Sequence, residues 1–309
     1  MLVRTFTSRV TLRVTLRVTL RVALRAALLA VSLASVSRAQ RAAMSAWDEV
    51  ARRLQTADTP QPGYHRYNLP RRDITLMMGD VRVATSLALG SWAGFAGEPG
   101  SAMVMGDLVL LPAELKAVLA ELVAQRIMTS AIHNHLAGET PELIYVHFDV
   151  MGDAVDIAVR LARVVAHTAT PLPVSSPPPA PLAIDTAVVF GTLGLRGRAL
   201  GAVAQVSAML VSVPVTMRGE GMAPALAYGS PINVQAIGTG RAVASGDFAV
   251  LEGQVAPLLG ALVSHGITAT AVHSHMIGEL PKVYFIHFWA DGALGEVCAG
   301  LRAALDAAR

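Results

Sequence analysis

The chain reads as an α+β protein made of two tandem copies of one domain, pseudo-twofold related, with helices packed on a largely antiparallel sheet. Three observations predict this. The stretch from Gly106-Asp107 to Phe148 aligns without a gap with Gly246-Asp247 to Phe288, and 15 of these 43 positions are identical. Within each copy the apolar periodicity gives strands, a helix, two strands and a helix, an order that suits helices laid against one antiparallel sheet. The composition, 53% hydrophobic and 15% charged over 309 residues, is enough for two buried cores. Aromatics are only 5%, so Ala, Val and Leu must fill them.

Taken in order, residues 1–39 read as an export signal. No acidic residue precedes Asp48, while Arg4, Arg9, Arg13, Arg17, Arg21, Arg25 and Arg38 all precede Gln40. An apolar run from Ala26 to Val36 then ends at a small-x-small site, Ser37-Arg38-Ala39. The run is too short to span a bilayer, so the membrane is met only through this signal and the mature protein is expected outside the cytoplasm, periplasmic or secreted. An Arg-rich amphipathic helix lying on a membrane, or a start at Met44, are the alternatives. Setting those seven arginines aside leaves 18 of the 25 basic residues against 22 acidic ones. That balance gives no basic surface for nucleic acid.

The first repeat domain spans 40–168. Trp47 to Leu54 reads as a short helix, and Tyr64 to Phe95 as strands broken at Met78-Gly79-Asp80 and Leu89-Gly90-Ser91. Met103 to Leu110 is a further strand, interrupted at Gly106. Pro112 opens a helix through Gln125 with Leu115, Val118, Leu119 and Leu122 on one stripe. A strand, loop and strand follow, and Asp153 to Val165 closes the domain as a helix with Val155, Ala158, Val159 and Ala162 inward. Residues 169–182, rich in Pro, form a semi-extended linker. The second repeat domain spans 183–309. Its Cys298, the one cysteine of the chain, excludes an intrachain disulfide, takes the place of Ala158 and reads as a buried small side chain.

Six of the nine histidines fall in the repeated strand–loop–strand. The first copy carries His133-Asn134-His135-Leu136-Ala137-Gly138-Glu139-Thr140-Pro141 and His147. The second carries His273-Ser274-His275-Met276-Ile277-Gly278-Glu279-Leu280-Pro281 and His287. Residues two apart on a strand share a face, so His133 and His135 point the same way, as do Tyr145 and His147. If the strands pair about Thr140, His133 sits opposite His147 and His135 opposite Tyr145. Three imidazoles and a loop carboxylate would then converge in each copy: His133, His135, Glu139 and His147, and again His273, His275, Glu279 and His287.

Between the copies, charged Glu114, Lys116 and Glu121 become Gln254, Ala256 and Ala261, which marks an ordinary solvated helix face. Asp107 and Asp247, each after a glycine inside an apolar strand, are second-rank candidates, with a bulge or turn as the plainer explanation. Tyr145, replaced by Phe285 in the second copy, is a donor available to one site only.

The Gly-Asp strand, the helix, His-x-His-x-x-Gly-Glu-x-Pro and the closing His, all present twice, resemble the LppY/LpqO family of bacterial exported proteins. The resemblance implies a duplicated extracytoplasmic domain of unknown function. Some members are lipoproteins; with no cysteine next to the signal, this chain departs from them. His-x-His-x-x-x-Glu also resembles the metal-ligand segment of cupins, a local likeness of ligand chemistry and not of fold.

Neutral imidazoles with a carboxylate suit a divalent transition metal such as Zn, Mn, Fe, Ni or Cu(II). The leading expectation is therefore an exported protein binding a divalent metal or polar ligand, with a small molecule or envelope component as partner. One alternative is a metal-dependent hydrolase of cell-envelope material in which Glu139 or Glu279 acts as general base. The other is a scaffold whose histidines and Gly-Glu-x-Pro turns only tie the hairpins together.

Overall fold

The computed structural model describes residues 45–175 and 184–309. The export-signal reading of 1–39 and the second part of the linker lie outside the described residues.

The first copy runs α1 (Ala46–Leu54), β1 (Asp58–Gln61), β2 (Tyr64–Pro70), β3 (Leu76–Met78), β4 (Val81–Val83), α2 (Thr85–Ala88), β5 (Gly90–Ala96), β6 (Ala102–Leu110), α3 (Pro112–Ala124), β7 (Met128–His133), β8 (Glu139–Thr140), β9 (Ile144–Gly152) and α4 (Ala154–Val165). The second repeats it: α5 (Thr186–Leu193), β10 (Gly197–Leu200), β11 (Val203–Ala208), β12 (Thr216–Met217), β13 (Glu220–Gly221), α6 (Pro224–Ala227), β14 (Ser230–Gly238), β15 (Arg241–Val250), α7 (Glu252–Ser264), β16 (Thr268–His273), β17 (Glu279–Leu280), β18 (Tyr284–Ala293) and α8 (Leu294–Ala307). Each copy builds a six-stranded antiparallel sheet, ordered β1-β2-β5-β6-β9-β7 and β10-β11-β14-β15-β18-β16. Each also builds a small three-stranded one, β4-β3-β8 and β13-β12-β17.

The three longer helices of the first copy form where expected, and α2 is a short helix within the stretch read as strands. Pro112 sits in the first turn of α3, where its missing N–H costs nothing, and the Glu114 carboxylate accepts from Leu111 N at 2.8 Å. Asp153 caps α4 by accepting from Val155 N and Asp156 N. The buried stripe of α4 is turned from the expected one: Ala154, Ile157, Ala158, Leu161, Val164 and Val165 are buried, whereas Val155, Val159 and Ala162 are only partly so. The longer side chains at Ile157 and Leu161 claim the core. Cys298 is fully buried on α8.

The helices cover one face of each sheet. In the first copy Val104, Leu108, Val146 and Phe148 pack against α1, α3 and α4 residues such as Leu54, Val118 and Leu161. β6 is not interrupted at Gly106, because every residue from Ala102 to Leu110 keeps its partner on β9. The glycine is needed for space, since a Cβ there would lie 2.3 Å from Phe148 Cζ and 2.3 Å from Trp92 O.

The other face of each sheet meets the other copy. Met103 and Met105 of β6 pack with Met217, Met222 and Leu226, while Leu76, Val83 and Leu87 pack with Val203 and Val243. Side-chain amides cross the same boundary: Gln235 Nε2 donates to Arg82 O, Gln205 Nε2 to Ser86 O and Asn233 Nδ2 to Leu87 O, at 2.8–2.9 Å. Arg218 reaches from the second copy to the buried carboxylate of Asp149 at 2.7 Å. The small sheet of each copy thus lies against its neighbour, and the two copies enclose a common interior.

The linker begins as part of the first domain. Val174 N donates to Gln55 O, and Leu172 and Val174 pack on the first core.

Candidate metal centre between the copies

The strand–loop–strand does not close about Thr140. β7 and β9 pair with His133 opposite Tyr145 and Ala131 opposite His147, with a register shift between Thr129 and Ala131. The second copy does the same, His273 opposite Phe285 and Ala271 opposite His287. The reason is that Glu139–Thr140 leaves the hairpin as β8 and pairs with Met77 and Met78 in the small sheet. Glu279–Leu280 likewise pairs with β12.

This diversion decides where the carboxylates go. Glu139 Oε1 accepts from Leu143 N at 3.2 Å. Glu279 Oε1 accepts from Val283 N at 3.3 Å and from Ser274 Oγ at 3.0 Å, with Lys282 Nζ 3.0 Å away. Both are buried, and both tie their own loops together.

The six histidines instead gather across the boundary between the copies. His133 lies 3.9 Å from His273 by ring centroids, His135 stacks on His287 at 3.7 Å, and His147 stacks on His275 at 3.7 Å. Each close pair takes one ring from each copy. Thr270 Oγ1 also donates to His135 O at 2.6 Å, fixing the loop of one copy to the edge strand of the other. His147, His275 and His287 are buried and His133, His135 and His273 half-buried.

At the centre, His287 Nε2 lies 3.1 Å from His133 Nε2 and 3.3 Å from His273 Nε2. On the far side of the same ring, His287 Nδ1 lies 2.5 Å from Asp247 Oδ1. Asp247 and His287 are direct partners on β15 and β18, as Asp107 and His147 are on β6 and β9. Three sets of side chains bring ligand atoms within 4.8 Å of one another: His133, His147, His273 and His275; His133, His135 and His287; and Asp107, His135 and His147. The carboxylates among the imidazoles are therefore Asp107 and Asp247, the second-rank residues of the sequence. Their signal was present: each is an acidic residue held in both copies of a strand that is otherwise apolar in the first copy and, but for Arg241 and Ser245, in the second.

Burial and the neighbouring imidazoles disfavour the charged form of five of these rings. His133, His135, His147 and His275 are driven below the usual histidine range by loss of water and then by the other histidines, and His273 is pushed down to about 4. Burial first, then Asp247, raises the Asp107 carboxyl well above the ordinary range. Tyr145 stacks on His135 at 3.7 Å and donates its hydroxyl to Ala88 O at 2.6 Å, so its proton is spent on the backbone. Phe285 stacks on His275 in the same way at 3.6 Å without a hydroxyl.

A family model described as a domain of unknown function (DUF1259) matches residues 48–167 and, a second time, 187–307. The chain belongs to that family. Both DUF1259 copies are needed for the histidine cluster, since each supplies three of its rings. The comparison with curated proteins finds no match. Among solved structures the DUF1259 chain is similar to EtuB from Clostridium kluyveri at 12% identity, over 82% of this chain and 90% of that one, with a TM-score of 0.20. A likeness that faint says nothing of fold or role.

Proposed function

We propose that this DUF1259 chain is an exported metal-binding protein whose centre is shared between its two copies, in keeping with its resemblance to the LppY/LpqO proteins. The observation that carries the reading is His287 Nε2, which has His133 Nε2 on one side and His273 Nε2 on the other, amid six imidazoles that fall into overlapping sets of possible ligands. Around a tetrahedral ion with metal–nitrogen bonds of about 2.0–2.1 Å, neighbouring ligands stand about 3.3–3.4 Å apart. The observed 3.1 and 3.3 Å match that spacing. Asp247 Oδ1 stands 2.5 Å from Nδ1 on the other side of the His287 ring, the place a carboxylate takes behind a metal-bound imidazole.

A purely structural role accounts for the cluster less well. Hydrogen bonds among the imidazoles leave His133 Nδ1, His135 Nε2, His147 Nε2, His273 Nδ1 and His275 Nε2 buried without a protein partner, and His287 Nδ1 close to Asp247 but outside hydrogen-bond geometry. Each unmet buried group costs roughly 1–3 kcal/mol, which hydrogen bonds within the cluster leave without compensation. The hydrolytic alternative has less support, because Glu139 and Glu279 each accept from the backbone of their own loop through Oε1. The donor set of imidazoles without thiolate suits Zn, Ni, Cu(II) or Fe(II).

The test is elemental analysis of the full chain purified without a histidine tag, beside His287→Ala. At least one equivalent of a transition metal in the parent, with one equivalent fewer in the variant, is the expected result. A folded parent that neither carries metal nor takes it up on dialysis against Zn²⁺, Ni²⁺, Cu²⁺ or Fe²⁺ overturns the reading.

A further inference from the structure

Asp107 and Asp247 occupy the same place in their two copies and face different atoms. Asp247 Oδ1 meets the Nδ1 side of His287, the side turned away from the three-nitrogen centre. Asp107 faces Nε2 atoms instead, with Oδ1 3.9 Å from His147 Nε2 and Oδ2 3.9 Å from His135 Nε2. Those separations are too long for hydrogen bonds. They fit donors gathered round a common ion, since bonds of about 2.0–2.2 Å place ligands about 3.3–4.2 Å apart, according to the angle between them.

The atoms concerned have nothing else to bind. Asp107 Oδ1, His135 Nε2 and His147 Nε2 are each buried without a hydrogen-bond partner in the protein, and the Asp107 and His147 side chains are 7% and 9% exposed. The neighbouring cross-strand pair supplies the contrast, because in the second copy the matching aspartate lies 2.5 Å from the Nδ1 side of its own histidine. A carboxylate and two imidazoles that converge and stay unpaired are a ligand set of the two-histidine, one-carboxylate kind.

We propose that Asp107, His135 and His147 hold a second divalent transition-metal ion beside the one at His133, His273 and His287, so that the chain carries a two-ion centre. The inference rests on the reading of the cluster as a metal centre and adds to it the second ion, its ligands and its place in the first copy. The nitrogen and oxygen donors select the same metals as the central set with a greater tolerance for Mn²⁺ and Fe²⁺, which accept carboxylate readily.

The experiment is a stoichiometric titration of the full, metal-stripped chain with Co²⁺, followed by its visible absorption and by elemental analysis after desalting. Two ions per chain are expected for the parent, and one for Asp107→Asn and for His135→Ala, each with the far-ultraviolet circular dichroism of the parent. His273→Ala should weaken the other ion and spare this one. One ion in the parent, or two retained in a folded Asp107→Asn, overturns the second site while leaving the shared centre standing. No ion in the parent removes both. Should Asp107→Asn fail to fold, the parent stoichiometry alone decides.

Discussion

Replacing Asp247 by Asn tests whether the central triad is built as described. The side chains are nearly the same size, so the packing of β15 against β18 survives, and what changes is the group at 2.5 Å from His287 Nδ1. A hydrogen bond to a charged partner is worth about 1.5–3 kcal/mol and one to a neutral amide about 0.5–1.5 kcal/mol. The difference, roughly 1–1.5 kcal/mol, is felt only while His287 keeps its proton on Nδ1 and offers Nε2 to the ion. Affinity should therefore fall about tenfold, and toward a hundredfold if the Asn turns its NH₂ to the ring and drives the proton onto Nε2. Competition for Zn²⁺ against a chromogenic chelator at fixed pH measures it. An unchanged dissociation constant in a variant that still binds one ion at the centre would mean that His287 does not ligate through Nε2, and the triad would have to be abandoned.

Glu139→Gln and Glu279→Gln should leave the metal content unchanged; thermal unfolding should show Glu279→Gln the more costly, by about 1–3 kcal/mol, because it holds Val283 N, Ser274 Oγ and Lys282 together. Gly106→Ala should destabilise by about 1–3 kcal/mol or more in chemical denaturation, since the added methyl meets both the Phe148 ring and the Trp92 carbonyl. Tyr145→Phe copies the second repeat: it should cost about 0.5–1.5 kcal/mol for the lost bond to Ala88 O and leave stoichiometry as it was. For metal-stripped protein, stability should fall as pH drops below about 6.5, by about 1.4 kcal/mol per unit for each excess proton the unfolded chain binds. Five histidines refuse protons in the fold that the unfolded chain accepts, with His273 reaching its own limit near pH 4. Asp107 and Asp149, raised by burial, act in the opposite direction but are outnumbered, so urea midpoints that rise on acidification would refute the assignment.

The duplication, the α+β class and the histidine pairs were legible because they are local. An exact offset of 140 residues needs no fold to be seen, and His133 and His135 share a face by strand geometry alone. What was lost is what the chain does at long range. Each strand–loop–strand looked like a closed unit, so the ligands were grouped copy by copy, whereas β8 departs for β3 and takes Glu139 with it. A signal for the true arrangement existed in β6. Met103, Met105 and Val109 are apolar on one alternation and Val104, Leu108 and Leu110 on the other, and all are buried. A strand apolar on both faces needs two covers. The helices provide one, and the other copy is the natural second. Asp107 in such a strand is then a carboxyl in a dry interior between copies, which is the setting that calls for a cation or a proton. Retention of Glu139 and Glu279 misled because a buried loop cap is kept for the same reason in both copies.

Fusing the two copies in one chain removes the symmetry that two separate identical chains would impose. In a dimer of identical chains every ligand on one side of the axis has an equal on the other, and Asp107 and Asp247 would be one residue doing one job. Here Tyr145 on His135 answers to Phe285 on His275, and the two aspartates address opposite sides of their histidines. Mirrored substitutions should therefore give unequal results. Asp247→Asn should weaken the central ion and leave the count of ions at saturation intact, whereas Asp107→Asn should lower the count and leave the affinity of the remaining ion within about twofold, about 0.4 kcal/mol. Isothermal titration with Zn²⁺ reads count and affinity together. Equal effects of the two variants on both quantities would show that the copies still act alike, and that the unequal contacts of Asp107 and Asp247 carry no division of labour.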